Sequence, residues 1–206
     1  MTAASIQNVV FDIGNVIVRW APLEIIRLAL GEAKASEQLA TSIFQSDTWL
    51  ALNKGFISET DAKLQYQQSL GLSNLECDRL FYYVKQTQIL IFGSVDLLKR
   101  VKAAGYGVYA LTDNVHEIVA HLKSSYSFWP LFDGAIVSAE LGLLKPQAEI
   151  YQELLTQYKL EASQTVFIDD MPHNVAGAKA IGIAGIQFEN AAQCEQELCK
   201  LLGHPL

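Results

Sequence analysis

Three cysteines in 206 residues, Cys77, Cys194 and Cys199, are too few and too scattered to build a disulfide framework. A reduced, cytoplasmic setting is the expectation. Cys194 and Cys199 lack the second ligand pair that a redox or metal motif needs. No apolar run approaches the roughly 20 residues that span a bilayer, so no membrane partner is expected. Residues 1–8 hold no basic segment followed by an apolar stretch, and no leader is read there. Positive charge is scarce too: 15 Lys and Arg stand against 22 Asp and Glu, for a formal net charge of −7. Without a basic stripe, nucleic acid is not an expected partner. Apolar residues are abundant: 50% of the chain falls in the hydrophobic set, enough for one core plus a modest insertion, or for two small domains.

Ile6 to Phe11 is β-branched, apolar and short, the signature of a buried strand. Between Pro22 and Gln88 the pattern changes to helical spacing: Leu23, Ile26 and Leu30; Leu39, Ile43 and Phe44; Leu64, Tyr66 and Leu70; Leu80, Phe81 and Val84. Ser58-Glu59-Thr60-Asp61 and Ser73-Asn74-Leu75-Glu76 have the form of helix starts. From about Phe92 the pattern alternates. Strands are expected at Gly107–Leu111, Gly134–Ser138, Thr165–Ile168 and Ile183–Phe188. Helices are expected at Ser94–Ala104, Val115–Lys123, Pro146–Tyr158, His173–Ile181 and Ala191–Leu202. Such alternation implies an α/β fold: a doubly wound parallel sheet, Rossmann-like, with helices on both faces. The helical segment interrupts it just after the first strand. Residues 1–18 and 92–206 therefore form the expected core, and residues 19–91 an inserted helical cap.

Four apolar runs lead into residues suited to phosphate chemistry: Val9–Phe11 into Asp12, Val108–Leu111 into Thr112, Gly142–Leu144 into Lys145, and Val166–Ile168 into Asp169-Asp170. The carboxyl ends of parallel strands form one rim, where ligands bind. Asp12 fits either a carboxylate that attacks phosphorus or a simple cap of the turn. Thr112-Asp113-Asn114 can bond a phosphoryl group or cap a helix. Adjacent carboxylates such as Asp169 and Asp170 repel unless a cation holds them, and Mg²⁺ prefers carboxylate oxygens, water and phosphate. Lys145, held out of helical geometry by Pro146, is placed at a strand-to-helix junction, where it would neutralise charge developing on a phosphate.

In combination, Phe11-Asp12-Ile13-Gly14-Asn15-Val16, Leu111-Thr112-Asp113-Asn114, Gly142-Leu143-Leu144-Lys145-Pro146 and Phe167-Ile168-Asp169-Asp170 with Asn174 resemble the haloacid dehalogenase-like hydrolases. The phrase Phe-Asp-Ile-Gly-Asn-Val-Ile looks most like their sugar-phosphatase branch, which includes α-glucose-1-phosphate phosphatases. The resemblance implies a Mg²⁺-dependent phosphatase of a small phosphorylated metabolite, such as a sugar 1-phosphate, working through an aspartyl-phosphate on Asp12. Mg²⁺ would be held by Asp12, the Gly14 carbonyl and the Asp169–Asp170 pair, with Asp170 favoured as the direct ligand. Thr112 and the amide of Asp113 would bind the phosphoryl group, and Lys145 would bridge nucleophile and phosphate. A monomer or small homo-oligomer is expected.

The chain departs from the family pattern at two points. Many relatives carry a second aspartate, acting as acid and base, where this chain has Gly14. Asn15 with an ordered water, or His116, are stand-ins, and an anomeric oxygen leaves more readily than an ordinary alkoxide. Asp113 stands where asparagine is common, adding a negative charge beside the phosphate. A 2-haloacid dehalogenase and a non-catalytic phosphate-binding protein are the alternatives; the acidic pair argues against the first. Of the aromatics in or beside the cap (Trp20, Trp49, Phe56, Phe81, Tyr82 and Tyr83), most are expected to serve packing.

Overall fold

A computed structural model of the protein describes residues 5–206. Residues 1–4, half of the segment read as leader-free and the start of the expected core, lie outside the described residues. Strand β1 (Asn8–Phe11) is followed by five α-helices: α1 (Pro22–Leu30), α2 (Glu37–Phe44), α3 (Asp47–Asn53), α4 (Glu59–Leu70) and α5 (Asn74–Gln86). Alternation then begins: α6 (Ser94–Ala103), β2 (Gly107–Thr112), α7 (His116–Ser125), β3 (Gly134–Val137), α8 (Ser138–Leu141), α9 (Ala148–Tyr158), β4 (Thr165–Asp169), α10 (Pro172–Ala180), β5 (Ala184–Gln187) and α11 (Ala191–Leu202). The sheet is parallel throughout, in the order β3-β2-β1-β4-β5. The chain winds outward in both directions from β1, so the crevice beside β1 is the switch point where such sheets bind ligands.

Both faces of the sheet are covered. Val10, Leu111 and Phe167 pack with Ile150, Tyr151 and Leu154 of α9 on one face. Val9, Phe11, Val108 and Ile168 pack with Leu97, Leu98 and Val101 of α6 and Leu198 of α11 on the other. Alternate residues of one strand thus meet different helices, which is why these strands are apolar without a break. All five residues of β4 are buried.

The helical insertion leaves and returns along paired connectors. Arg19 N donates to Ile89 O and Ile91 N to Ile17 O, each at 2.9 Å. Both serine-led starts are complete capping boxes, Ser58 with Asp61 and Ser73 with Glu76. Helix α3 was not legible as a separate element in the spacing of the apolar residues; its start is marked by Ser46, whose hydroxyl accepts from Trp49 N at 3.1 Å. The insertion also meets the α8 region directly. Ser138 Oγ donates to Asn53 O at 2.7 Å, and a Cβ built on Gly55 would lie 2.2 Å from Ala139 O.

Two local expectations change. The run Gly142–Leu144 is not strand. The chain turns from β3 straight into α8, which Gly142 ends in the left-handed conformation, φ 74°. Lys145 therefore lies in a loop between two helices, not at a strand-to-helix junction. Pro146 does not open the next helix. Leu144 N donates to the Gln147 side chain at 2.9 Å, closing a turn, and α9 begins only at Ala148.

Candidate active site

Register puts the acids together. Phe11 of β1 pairs with Ile168 of β4, and Asp12 N continues the ladder by donating to Ile168 O at 2.9 Å. Asp12 therefore stands beside Asp169, one residue beyond Ile168. Asp12, Asp169 and Asp170 each offer an oxygen within 4.8 Å of the others. Lys145 reaches the same point from its loop. Its ammonium lies 2.9 Å from Asp12 Oδ1, 2.7 Å from Asp169 Oδ2 and 3.3 Å from Leu111 O. All three of its donors have a place to go.

The two halves of the acidic pair have different surroundings. Asp169 is fully buried and saturated: besides Lys145 it accepts from Met171 N at 2.8 Å and from Asn174 Nδ2 at 3.1 Å. Asp170 is half-buried, faces the cavity and accepts from Asn15 Nδ2 at 3.1 Å. Asn15 has φ 52°, a left-handed turn that asparagine tolerates, and its Oδ1 accepts from Trp20 N at 2.9 Å. Both ends of its amide are thus committed to ordering the turn. His116 is exposed and is not among the residues lining the cavity, whereas His173 is.

Thr112 ends β2 and is 1% exposed, behind the cavity wall formed by Asp113 and Asn114. The Asp113 side chain has one backbone partner: its Oδ1 accepts from Lys145 N at 3.1 Å. Gly14 lines the cavity, and a Cβ built on it meets nothing within 4 Å.

Charge is unbalanced in this cluster. Asp12, Asp113, Asp169 and Asp170 surround one lysine. Burial, only partly offset by Lys145, raises the Asp12 and Asp113 carboxyls above the usual range. Burial likewise raises Asp170, against the bond from Asn15. Burial would lower the Lys145 ammonium, yet Asp12 and Asp169 hold it above its ordinary value. A further cation is what this donor set lacks, and three clustered carboxylates suit a hard divalent ion such as Mg²⁺.

A cavity of about 360 Å³ opens over this cluster, at the small end of the roughly 300–1,000 Å³ usual for ligand sites. Asp12, Lys145 and Asp170 lie at its base. Trp20, Phe44, Trp49 and Leu50, from a connector and from α2 and α3, form an opposite wall. Trp20 and Trp49 stack at 5.7 Å, and Phe44 meets both edge-on. Among the flagged aromatics, Trp20 and Trp49 line the cavity. Phe81 packs in the core, and Phe56 covers Gly142.

The family profile described as haloacid dehalogenase-like hydrolase matches residues 6–182. The chain belongs to the haloacid dehalogenase-like hydrolase family. It is 30% identical over 194 residues to a sesquiterpene phosphatase from Aspergillus oryzae, covering 94% of this chain and 95% of that protein. It is also 30% identical over 214 residues to a D-ribitol-5-phosphate phosphatase from Bacteroides thetaiotaomicron, covering 96% and 98%. Among solved structures, a HAD-like hydrolase from Porphyromonas gingivalis aligns with a TM-score of 0.80 at 22% identity, over 97% of this chain and 98% of that one. A HAD family enzyme from Bacteroides thetaiotaomicron, solved with magnesium and inorganic phosphate, aligns with a TM-score of 0.74 at 20% identity, over 90% and 95%. These structural likenesses bear on the fold.

Several residues at the site escaped sequence reasoning. Phe44, Leu50 and Asn53 belong to α2 and α3, and nothing in a helical apolar stripe separates a cavity wall from a core. Asn174 stands in the fourth motif, where the sequence assigns it no role; its Nδ2 holds both oxygens of Asp169. Its position five residues beyond an acidic strand end, one turn into a helix, is the signal that marks it.

Proposed function

We propose that this hydrolase is a Mg²⁺-dependent phosphatase of small phosphorylated metabolites, with Asp12 as the nucleophile. The observation that carries it is the meeting of Asp12, Lys145 and the acidic pair at the floor of one cavity. Residues 19–91 would act as the cap that closes over the ester. Asp12, the Gly14 carbonyl and Asp170 would hold Mg²⁺; Asp169, already saturated by Lys145, Asn174 and Met171 N, would hold Lys145 in position. The ion, when bound, would neutralise phosphoryl charge and polarise the phosphorus.

In this reading an Asp12 oxygen attacks phosphorus in line with the departing alcohol. The ester P–O bond breaks, the alkoxide takes a proton from solvent, and an aspartyl-phosphate remains. The Asp113 amide, near the N-terminus of α7, would bind a phosphoryl oxygen, Thr112 would join it only if the wall in front of it shifts, and Lys145 stabilises the charge spread over the phosphoryl group. Water then attacks the aspartyl-phosphate, returning the Asp12 carboxylate and releasing phosphate. Gly14 offers no acid to the leaving group, which suits alcohols that depart readily. A sugar 1-phosphate is one such substrate, and the resemblance to the sugar-phosphatase branch makes it a candidate.

The test is phosphate release from phenyl phosphate with Mg²⁺ present. Asp12→Asn should abolish it while the protein stays folded, and EDTA should silence the parent until Mg²⁺ is restored. Near-parental turnover by pure Asp12→Asn protein removes Asp12 as the nucleophile. Dehalogenation of a 2-haloacid that survives EDTA would point to the dehalogenase chemistry instead, although three carboxylates clustered at the cavity floor repel a haloacid anion.

A further inference from the structure

Gln88 lies on the connector that returns from the helical insertion, is 4% exposed and lines the cavity. Its main chain is pinned. Its N–H donates to Lys85 O at 3.3 Å, and its carbonyl accepts the Tyr126 hydroxyl at 2.8 Å. Before it, Thr87 N donates to Tyr83 O at 3.0 Å, and after it Ile89 O accepts from Arg19 N at 2.9 Å. Its side-chain amide is different: no described residue hydrogen-bonds it, and it is not among the sealed unpaired atoms, so it opens to the cavity.

The neighbouring amides are at least half committed. Asn15 spends both ends on Asp170 and Trp20 N; Asn53 spends its Nδ2 on Trp49 O, Asn114 its Oδ1 on Val115 N, and Asn174 its Nδ2 on Asp169 while its Oδ1 stays buried and unpaired. Among the amides lining the cavity, Gln88 has neither end used. Burying an amide without a partner disfavours the folded state, and a leucine of similar size would carry no such cost. An amide held rigidly on a cavity wall, with donor and acceptor both unused, therefore has its partner outside the protein. An amide's paired donor and acceptor match a hydroxyl, which is also both. A phosphate dianion matches it poorly, since the amide oxygen would face negative charge. The phosphoryl end already has Lys145 at the cavity floor, among residues of the core.

We infer that Gln88 is a specificity-determining residue whose amide hydrogen-bonds a hydroxyl on the alcohol portion of the phosphoester. Trp20 and Trp49 pack against the carbon face of the same alcohol. The substrate class is then a phosphomonoester of a hydroxylated alcohol, a sugar or polyol, rather than of a plain hydrocarbon. This inference rests on the phosphatase reading of the cavity.

The experiment measures kcat and KM, with Mg²⁺, for glucose 1-phosphate, ribitol 5-phosphate and phenyl phosphate, whose leaving group bears no hydroxyl once bound as the ester. The parent should show a lower KM for at least one hydroxylated ester than for phenyl phosphate. Because the contact is made in the ground state and the transition state alike, Gln88→Leu should raise KM and leave kcat unchanged. Its kcat/KM for the preferred ester should fall about 10- to 100-fold, with phenyl phosphate altered by less than about threefold. The melting temperature of Gln88→Leu should equal or exceed the parent's. A parent whose KM is lower for phenyl phosphate than for both hydroxylated esters overturns the inference and leaves the phosphatase reading intact, as does a Gln88→Leu effect that is absent or equal on all three esters. Failure of the parent to hydrolyse even phenyl phosphate defeats the phosphatase reading, and the inference with it.

Discussion

Lys145 and Asp12 form an ion pair whose two halves should have opposite consequences when removed. Lys145→Met deletes two attractions, at 2.9 Å to Asp12 and 2.7 Å to Asp169. At an effective dielectric near 20, each is worth about 6 kcal/mol before desolvation. Relief from burying the ammonium returns part of this. Breaking a buried pair from one side leaves a net loss of about 3–5 kcal/mol, because uncompensated charge stays behind. Asp12→Asn deletes one attraction of about 6 kcal/mol. It also deletes repulsions from Asp169 and Asp170, whose oxygens lie within 4.8 Å and contribute about 3.5 kcal/mol each on the same scale. The attraction lost and the repulsion relieved nearly cancel.

Without added metal, Lys145→Met should therefore lower the melting temperature by about 6–20 °C, at about 2–4 °C per kcal/mol for a chain of this length. Asp12→Asn should melt within a few degrees of the parent or above it. Mg²⁺ should recover part of the Lys145→Met loss, since added positive charge faces the same oxygens. Scanning calorimetry with EDTA and then with Mg²⁺ reads all of this. The charge count is wrong if Lys145→Met melts with the parent in EDTA, or if Asp12→Asn falls as far as Lys145→Met.

Two further perturbations follow from space around glycines. Gly14→Asp has room, since its Cβ meets nothing within 4 Å, and it supplies the acid that the leaving group lacks. Turnover of an alkyl phosphate should rise by up to about 10²-fold, with phenyl phosphate little changed, in steady-state phosphate-release assays. Gly55→Ala has no room: φ is +68° and the new Cβ would lie 2.2 Å from Ala139 O. Chemical denaturation should show a loss of about 2–3 kcal/mol; a neutral result would mean that the insertion does not press on α8 as described.

The sheet and its acidic rim were legible because both depend on period and register. Uninterrupted apolar runs that stop at Asp12 and Asp169 place those residues side by side once β1 and β4 pair with the ends of their runs level, as Phe11 opposite Ile168. The helix starts at Ser58 and Ser73 were legible because capping is local chemistry. Lys145 was expected at the right site but on the wrong element: a four-residue helix and a turn closed by Gln147 leave no periodic signal. Helix α3 was hidden for a similar reason. Its seven residues are too few to show a stripe, and the buried face that carries Trp49 reads like any other. Gln88 gave no signal at all, because an unpaired amide is recognisable only after every neighbour's hydrogen bonds are known.

Those differences in legibility follow the division of labour in the molecule. The floor of the cavity, where the carboxylates meet, is built by strand register, a property of the whole sheet, and moving Asp12 by one residue would turn it to the other face. The opposite end is built by side chains on two connectors and two short helices, where a substitution changes a contact without moving the carboxylates. On the proposed reading, selection for a new alcohol would act on Trp20, Trp49 or Gln88 while Asp12, Lys145 and Asp169 stay in place.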